Sequence, residues 1–381
     1  MKGRRPVPPF KREPGGEKEQ AMAGIYERVR ERLDQFPQGF PKTKSGVELE
    51  ILKSLFSPEE AEMLVFLSPV LPQPASAIAA KAGREAKELE EILFRMSRKG
   101  LIFRLSPPGQ PNLYFLVPWV IGIWEFQLKN LNPDNIKLFE KYFEEGMTEE
   151  RKKAKTAGFR VIPVEKEIQA MTEIQSYEKV STIIDSHDRF GVAECICRKE
   201  NRMLGKGCDK LLEACMIFGP AVDYYVENGF GREISQKEAR AILTRAEEEG
   251  LVHCSANHAG AKMVICNCCG CCCKALGYLN KYHIPTAVAQ SNYYAGVSQE
   301  SCSGCETCVD RCQVQAIQME DDHASVLKGK CIGCGLCISS CPTGALSLVH
   351  KKPEEAPPIF LDSMALIQAI AKEKNKPFPF D

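Results

Sequence analysis

No cysteine occurs in residues 1–194, so that half of the chain offers no thiolate to a metal and no partner for a disulfide. Net charge is missing as well. Lys+Arg and Asp+Glu both number 50, which removes any long-range attraction to nucleic acid or to an anionic membrane surface. No stretch reaches the roughly 18–20 uninterrupted apolar residues of a membrane span. The best runs, 114–126 and 359–370, are broken by Pro, Glu, Asp or Gln. The basic, Pro-rich start at residues 1–10 leads into no apolar core segment, so no secretory leader is expected and a cytoplasmic location is. P-loop, Gly-x-Gly-x-x-Gly and Gly-x-Ser-x-Gly patterns are all lacking, which leaves Gly-rich nucleotide binding unsupported.

What is present is cysteine, 19 residues of it in a 381-residue chain. Eleven fall in residues 181–297 and eight in 298–350. A secreted disulfide scaffold would be small and carry a leader; in a reducing compartment, clustered cysteines point to metal or cluster ligation. The 44% hydrophobic and 26% charged shares are those of an ordinary globular protein, and the length allows two or three domains.

The patterning predicts an α+β, multidomain chain. Residues 1–45 read as a flexible N-terminal segment: 1–20 are too polar to order themselves, and 21–45 add at most one short helix. Residues 46–118 read as three helices and a hairpin. Ser57-Pro58-Glu59-Glu60 is a helix start, residues 75–82 stop at Gly83, and 86–99 carry Leu89, Ile92, Leu93 and Met96 on one face. Strands at 101–105 and 113–117 flank a Pro-Pro-Gly-Gln-Pro turn. This order resembles the winged-helix fold. The third helix opens on Glu85, Glu88, Glu90 and Glu91, acidic groups that would meet phosphates, so a scaffold role is favoured over DNA reading and nucleic acid is not an expected partner. Residues 119–180 read as a helical connector, with helices at 120–128 and 134–145. Residues 181–297 read as a cysteine-rich, mostly helical middle in which Ser235 and Glu238 form a capping box. Residues 298–350 form a separate module, and 351–381 a linker with a C-terminal helix near 361–374. Nothing in the sequence fixes an oligomeric state.

The module reads Cys302-Ser-Gly-Cys305-Glu-Thr-Cys308-Val-Asp-Arg-Cys312 and, 18 residues on, Cys331-Ile-Gly-Cys334-Gly-Leu-Cys337-Ile-Ser-Ser-Cys341-Pro342. A cubane has four irons, each open to one thiolate, and two-residue gaps let three cysteines of one tight loop reach three of them. The doubled C-x2-C-x2-C-x3-C run resembles the two-cluster bacterial-type ferredoxins, over about 50 residues. The resemblance implies two [4Fe–4S] clusters with crossed ligands: Cys302, Cys305, Cys308 and Cys341 on one, Cys331, Cys334, Cys337 and Cys312 on the other. It also implies one-electron transfer to or from a redox partner protein, as a component of an oxidoreductase system rather than a stand-alone enzyme. The chain departs from the family pattern at Gln313, which stands where the first run's Pro belongs.

Upstream, Cys195, Cys197, Cys208 and Cys215 make one set of four, and Cys266, Cys269 and Cys272 repeat the C-x2-C-x2-C spacing, with Cys268 and Cys271 as an alternative pair. Three readings stay open for residues 195–273: one or two more Fe–S clusters, a zinc ion, or redox-active thiols. Cys195-Ile-Cys-Arg, Gly207-Cys-Asp and the Cys-Cys-Gly-Cys-Cys block resemble a group of 4Fe–4S-binding proteins of anaerobic bacteria, a resemblance that runs over most of the chain and implies no particular reaction. Two other functions remain as rivals to the electron carrier: a redox-sensing winged-helix transcriptional regulator, and a thiol or Fe–S reductase.

Overall fold

The computed structural model describes residues 15–168 and 175–377, with side chains described from residue 24 on. The first 14 residues of the expected flexible tail lie outside the described residues. The rest of that segment is not a tail. Helix α1 (Gly15–Asp34) buries Ile25, Tyr26, Val29 and Leu33 at helical spacing, and Phe36 and Phe40 follow them into the core. The Glu and Arg residues that made the composition look polar lie between these positions.

Helices α2 (Val47–Leu55) and α3 (Pro58–Leu64) pack on α1. Ser57 accepts from the Glu60 N–H while the Glu60 carboxylate accepts from the Ser57 N–H, so the expected helix start is a complete reciprocal cap. Strand β1 (Gln73–Pro74), α4 (Ala75–Ala82), α5 (Ala86–Arg98), β2 (Phe103–Leu105) and β3 (Leu113–Phe115) follow, with the strands in the order β1-β3-β2.

The helix expected at 120–128 does not form. The β-branched Val120 and Ile121 are extended, and only a 3-10 turn at Glu125–Gln127 is helical there. Trp119 and Trp124 are buried on either side. Helix α6 (Pro133–Tyr142) starts at an Asn132 cap, and α7 (Thr148–Lys152) follows a π turn.

A sheet corrects the expectation of a mostly helical middle at 181–297, and it also takes its first strand from residues 119–180, expected as a helical connector. Strands β4 (Phe159–Ile162), β5 (Phe190–Glu194), β6 (Glu213–Phe218), β7 (Arg232–Ile234), β8 (Val252–Ala256) and β9 (Val264–Cys268) form a six-stranded sheet ordered β4-β8-β9-β6-β5-β7. Every pairing in it is antiparallel. One face carries Val192, Met216, Phe218 and Ile265 under α8 (Val180–Asp185) and α11 (Gln236–Glu248). On the other face cysteine takes the inward position of the alternation. Helices α9 (Ile196–Met203), α10 (Ala221–Glu227) and α12 (Lys274–Asn280) complete this part. Ser235 caps α11 as expected, but the Glu238 carboxylate pairs with Arg232 at 2.7 Å. Tyr224 of α10 stacks on Phe103 at 4.1 Å and donates to the Ile102 carbonyl at 2.7 Å, which joins this part to the N-terminal unit.

In the C-terminal part, β10 (Tyr293–Val297) pairs with β13 (Leu346–His350), and β11 (Ile317–Glu320) pairs with β12 (His323–Val326), with α13 (Thr307–Arg311) between β10 and β11. Helix α14 (Ser363–Glu373) turns back onto the N-terminal unit. Lys374 reaches the Pro37 carbonyl at 2.7 Å, and Glu373 accepts from the Lys155 and Thr156 N–H groups. Among the described residues no helix is long and apolar enough to cross a membrane.

Candidate metal centres

The loops of the C-terminal part bring its eight cysteines into two quartets. Cys302, Cys305, Cys308 and Cys341 surround one cavity, closed by Val297, Met319, Ala324 and Leu346. Cys312, Cys331, Cys334 and Cys337 surround a second, walled by Ala295, Val314, Ile317 and Leu336. Each quartet thus takes three cysteines from one run and the last cysteine from the other. The tight turns need glycine. Gly304 and Gly333 sit at φ 69° and 66°, and a Cβ there would lie 2.6 Å from the Asp322 carbonyl oxygen and 2.1 Å from that of Tyr293. Backbone N–H groups point at sulfur: Ala316 to Cys312 at 3.1 Å, Ala295 to Cys331 and Ala324 to Cys302 at 3.5 Å. Burial pushes the Cys334 thiol up to about 12, so its neutral form is favoured until a cation takes the proton's place. Eight soft donors around two cavities, with N–H groups aimed at their sulfurs, fit iron–sulfur cofactors.

Residues 295–348 match the family model described as a 4Fe-4S dicluster domain.

No curated protein and no solved structure matches the chain. The family match marks a ferredoxin-like iron–sulfur domain at the C-terminus, and with the gathered cysteines it supports at least one Fe–S cluster and an electron-transfer role. The two quartets differ in setting. Cys305 is exposed, whereas Cys331 and Cys337 are buried.

The upstream cysteines fall into groups that their spacing did not suggest. Cys254, Cys266 and Cys215 are direct cross-strand neighbours on β8, β9 and β6, so their side chains stand in one row on one face of the sheet. Cys268, two residues after Cys266, shares that face. Contacts between thiols extend the row: Cys268 meets Cys254, Cys266 and Cys273, Cys273 meets Cys197, and Cys197 meets Cys195. Cys208 instead lies 3.8 Å from Cys269, in a group with Cys271 and Cys272. Cys208 is thus parted from Cys195, Cys197 and Cys215, and Cys266 from Cys269 and Cys272. The x2 spacing fails to gather because Cys266 is inside a strand while Cys269 and Cys272 are in the turn after it. Cys254 and Cys273 were outside the expected sets, and Cys268 and Cys271, expected as an alternative pair, go to different groups; the alternation in Val264-Ile-Cys-Asn-Cys268 is the signal for Cys268 sharing a face with Cys266.

Arg198 is fully buried between the groups. Its Nη1 donates to the Asn267 carbonyl at 2.9 Å and to the Cys269 sulfur at 3.7 Å, while Nε and Nη2 have no partner among the described residues. A buried guanidinium with free N–H groups amid thiols suits an anionic thiolate centre. Contact with Cys272 and then the charge of Arg198 hold the Cys269 thiol well below its ordinary value. Two of the histidines here have ordinary partners: His253 lies between Asn267 and Glu247, and His187 stacks on Phe218.

Gln313, the departure from the ferredoxin pattern, joins the two regions. Its Oε1 accepts from the Gly270 N–H at 2.8 Å, and Asn280 Nδ2 donates to both the Gln313 and Gly270 carbonyls, at 2.9 and 3.1 Å. A loop carrying an upstream thiolate group is thereby tied to the residue after Cys312.

Proposed function

We propose that the chain is a cytoplasmic electron relay that holds two [4Fe–4S] clusters and exchanges single electrons with a separate redox partner protein. Cys302, Cys305, Cys308 and Cys341 would ligate the outer cluster, and Cys331, Cys334, Cys337 and Cys312 the inner one. The observation that carries this reading is the gathering of the eight thiols into two quartets around two cavities. When bound, the clusters supply reversible one-electron chemistry in which no bond is made or broken. The chain's own part is to set burial and N–H···S bonds, which tune potential. Exposed Cys305 marks the side at which a partner docks; the second quartet has Cys331 and Cys337 buried, and its Cys334 lies within electrostatic reach of Cys254 on β8. The inner row of Cys195, Cys197, Cys215, Cys254, Cys266, Cys268 and Cys273 supports a further Fe–S centre, with the free N–H groups of Arg198 to meet its negative charge.

For residues 46–118, the order helix, helix, strand, helix, helix, hairpin holds one helix more than the three expected, and its last part, α3 to β3, supports a winged-helix reading, as a scaffold. The cations on and after α5 are engaged: Arg95 and Lys99 pair with Glu59 and Glu60, and Arg104 with Glu227. That pairing favours the scaffold over a DNA-reading regulator. A reductase reading is tested by turnover of a small disulfide by the isolated chain.

The deciding experiment is anaerobic iron and sulfide counting with EPR of the reduced protein. About eight irons and eight sulfides in the module, lost about four at a time in Cys305→Ser and Cys334→Ser, are expected from two cubanes. Zinc without inorganic sulfide would overturn the relay.

A further inference from the structure

The group formed by Cys208, Cys269, Cys271 and Cys272 is built differently from the ferredoxin quartets. Its four sulfur atoms all lie within 4.8 Å of one another. Cys208 and Cys269 are 3.8 Å apart and Cys271 and Cys272 are 3.7 Å apart. An ion bound tetrahedrally by thiolates at about 2.3 Å requires sulfur–sulfur edges of ~3.8 Å. A cubane puts each thiolate on a different iron, at a separate corner of a body several bonds wide, and so holds its four cysteine sulfurs well out of mutual contact.

We propose that these four cysteines bind one tetrahedral metal ion, zinc or iron, and not a cluster. The donors come from two loops. Cys208 follows α9, in a loop that Arg202 holds through the carbonyls of Cys208 at 3.0 Å and Lys210 at 2.6 Å. Cys269, Cys271 and Cys272 form the turn between β9 and α12, against an apolar wall of Ala246, Leu251 and Leu211. Four thiolates around a divalent ion leave an excess negative charge of two, and the buried Arg198, 3.7 Å from the Cys269 sulfur, lies where it offsets part of that charge. The ion pins the turn that Gln313 ties to the ferredoxin-like domain, so it fixes the distance between that domain and the inner thiol row. Zinc and iron share this donor chemistry, and the test separates them.

The full-length chain is purified anaerobically beside Cys208→Ser and Cys271→Ser. Cys271 is exposed, which makes its substitution the milder one for folding. Each variant is expected to lose about one zinc, or about one iron, per chain, with acid-labile sulfide and the EPR of the reduced clusters unchanged. Loss of about four irons together with four sulfides would overturn the proposal, as would unchanged metal content. A measurement on the unsubstituted protein guards against variants that fail to fold. If zinc is present, its X-ray absorption must show four sulfur neighbours and no metal–metal shell. If zinc is absent, the oxidised protein must show the EPR of an isolated ferric ion in tetrahedral sulfur. Absence of both signatures overturns the site. Because cluster sulfide is followed separately, failure here is distinguishable from failure of the ferredoxin reading.

Discussion

The cysteine-free N-terminal unit and the cysteine-rich remainder build their interiors from different materials. In the first, Phe40, Trp119, Phe139 and Tyr142 interlock with ring centroids 4.7–6.1 Å apart, among large aliphatic side chains that fill the space between helices. Burial of so much apolar surface stabilises that unit, whose core extends to Ile196, Ile217, Tyr224, Tyr225 and Phe230 of the neighbouring part. The core around the ferredoxin loops instead mixes Cys254, Cys268, Cys273, Cys308, Cys331 and Cys337 with Ala, Val, Ile and Leu. Eight thiols of this part surround two cavities rather than fill them. Ligands that must gather around a cofactor make its binding free energy part of folding free energy. The difference teaches that where cysteine stops in the sequence, self-sufficient packing takes over.

Two experiments would break that comparison if it is wrong. Anaerobic removal of iron by a chelator is expected to have the largest effect. Amide hydrogen exchange over residues 293–350 should accelerate on the order of a thousandfold, equivalent to ~4 kcal/mol, while α1, α2 and α6 keep their protection. Equal loss in both regions would mean that the N-terminal core also leans on the clusters. The converse change is Trp119→Ala, which empties a fully buried site and should cost about 3–5 kcal/mol in denaturant unfolding of the N-terminal unit. Iron content and cluster EPR should stay unchanged.

How much was legible follows from the same contrast. Three cysteines of each ferredoxin quartet could be read because their spacing lies within one short loop, where sequence distance and spatial distance agree; the fourth, which crosses from the other run, came from the family resemblance. The helices expected at 75–82 and 86–99 and the hairpin after them were legible from Gly83, the apolar periodicity and the Pro/Gly turn. The central sheet was not. Cysteine at alternate positions, as in Cys266 and Cys268, carries weak strand propensity, and the pairing that sets Cys254 beside Cys266 and Cys215 is long-range. The upstream thiols were therefore grouped by loop spacing where strand register decides. Helix α1 was hidden by its charged face, and residues 120–128 looked helical by composition although Val120 and Ile121 are extended.

A smaller effect concerns the strap that binds the two regions. The Ala259 and Gly260 N–H groups donate to the Phe360 and Leu361 carbonyls at 2.7 and 3.0 Å, just ahead of α14, which docks on the N-terminal unit. His258 beside them is buried, and burial followed by the charge of Lys262 lowers it to about 4, with Asp362 opposing. The fold thus favours neutral imidazole, while the unfolded chain takes up a proton below about 6.5. The stability involved is fully present above that pH and is lost as pH falls toward 4, by about 2 kcal/mol once solvent screening is allowed for. Exchange of residues 355–377 should quicken over that window, and His258→Gln should flatten the dependence.

The smallest expected effect sharpens the comparison most, because it acts where two sets of thiols meet. Gln313→Pro restores the residue that the ferredoxin pattern carries after its fourth cysteine. Proline keeps the carbonyl that Asn280 reaches at 2.9 Å but has no side-chain oxygen for the Gly270 N–H and no amide for the local Arg311 carbonyl, at 3.2 Å. Loss of the bond to Gly270, the one that crosses between the regions, costs about 1 kcal/mol. The eight ferredoxin ligands are untouched, so iron and sulfide per chain and the EPR of the reduced domain should match the parent. Exchange at residues 269–273 should rise about fivefold with no change at 302–312. If Gln313 were only a tolerated departure, both segments would exchange as in the parent; if it supported the cluster itself, the EPR would move instead.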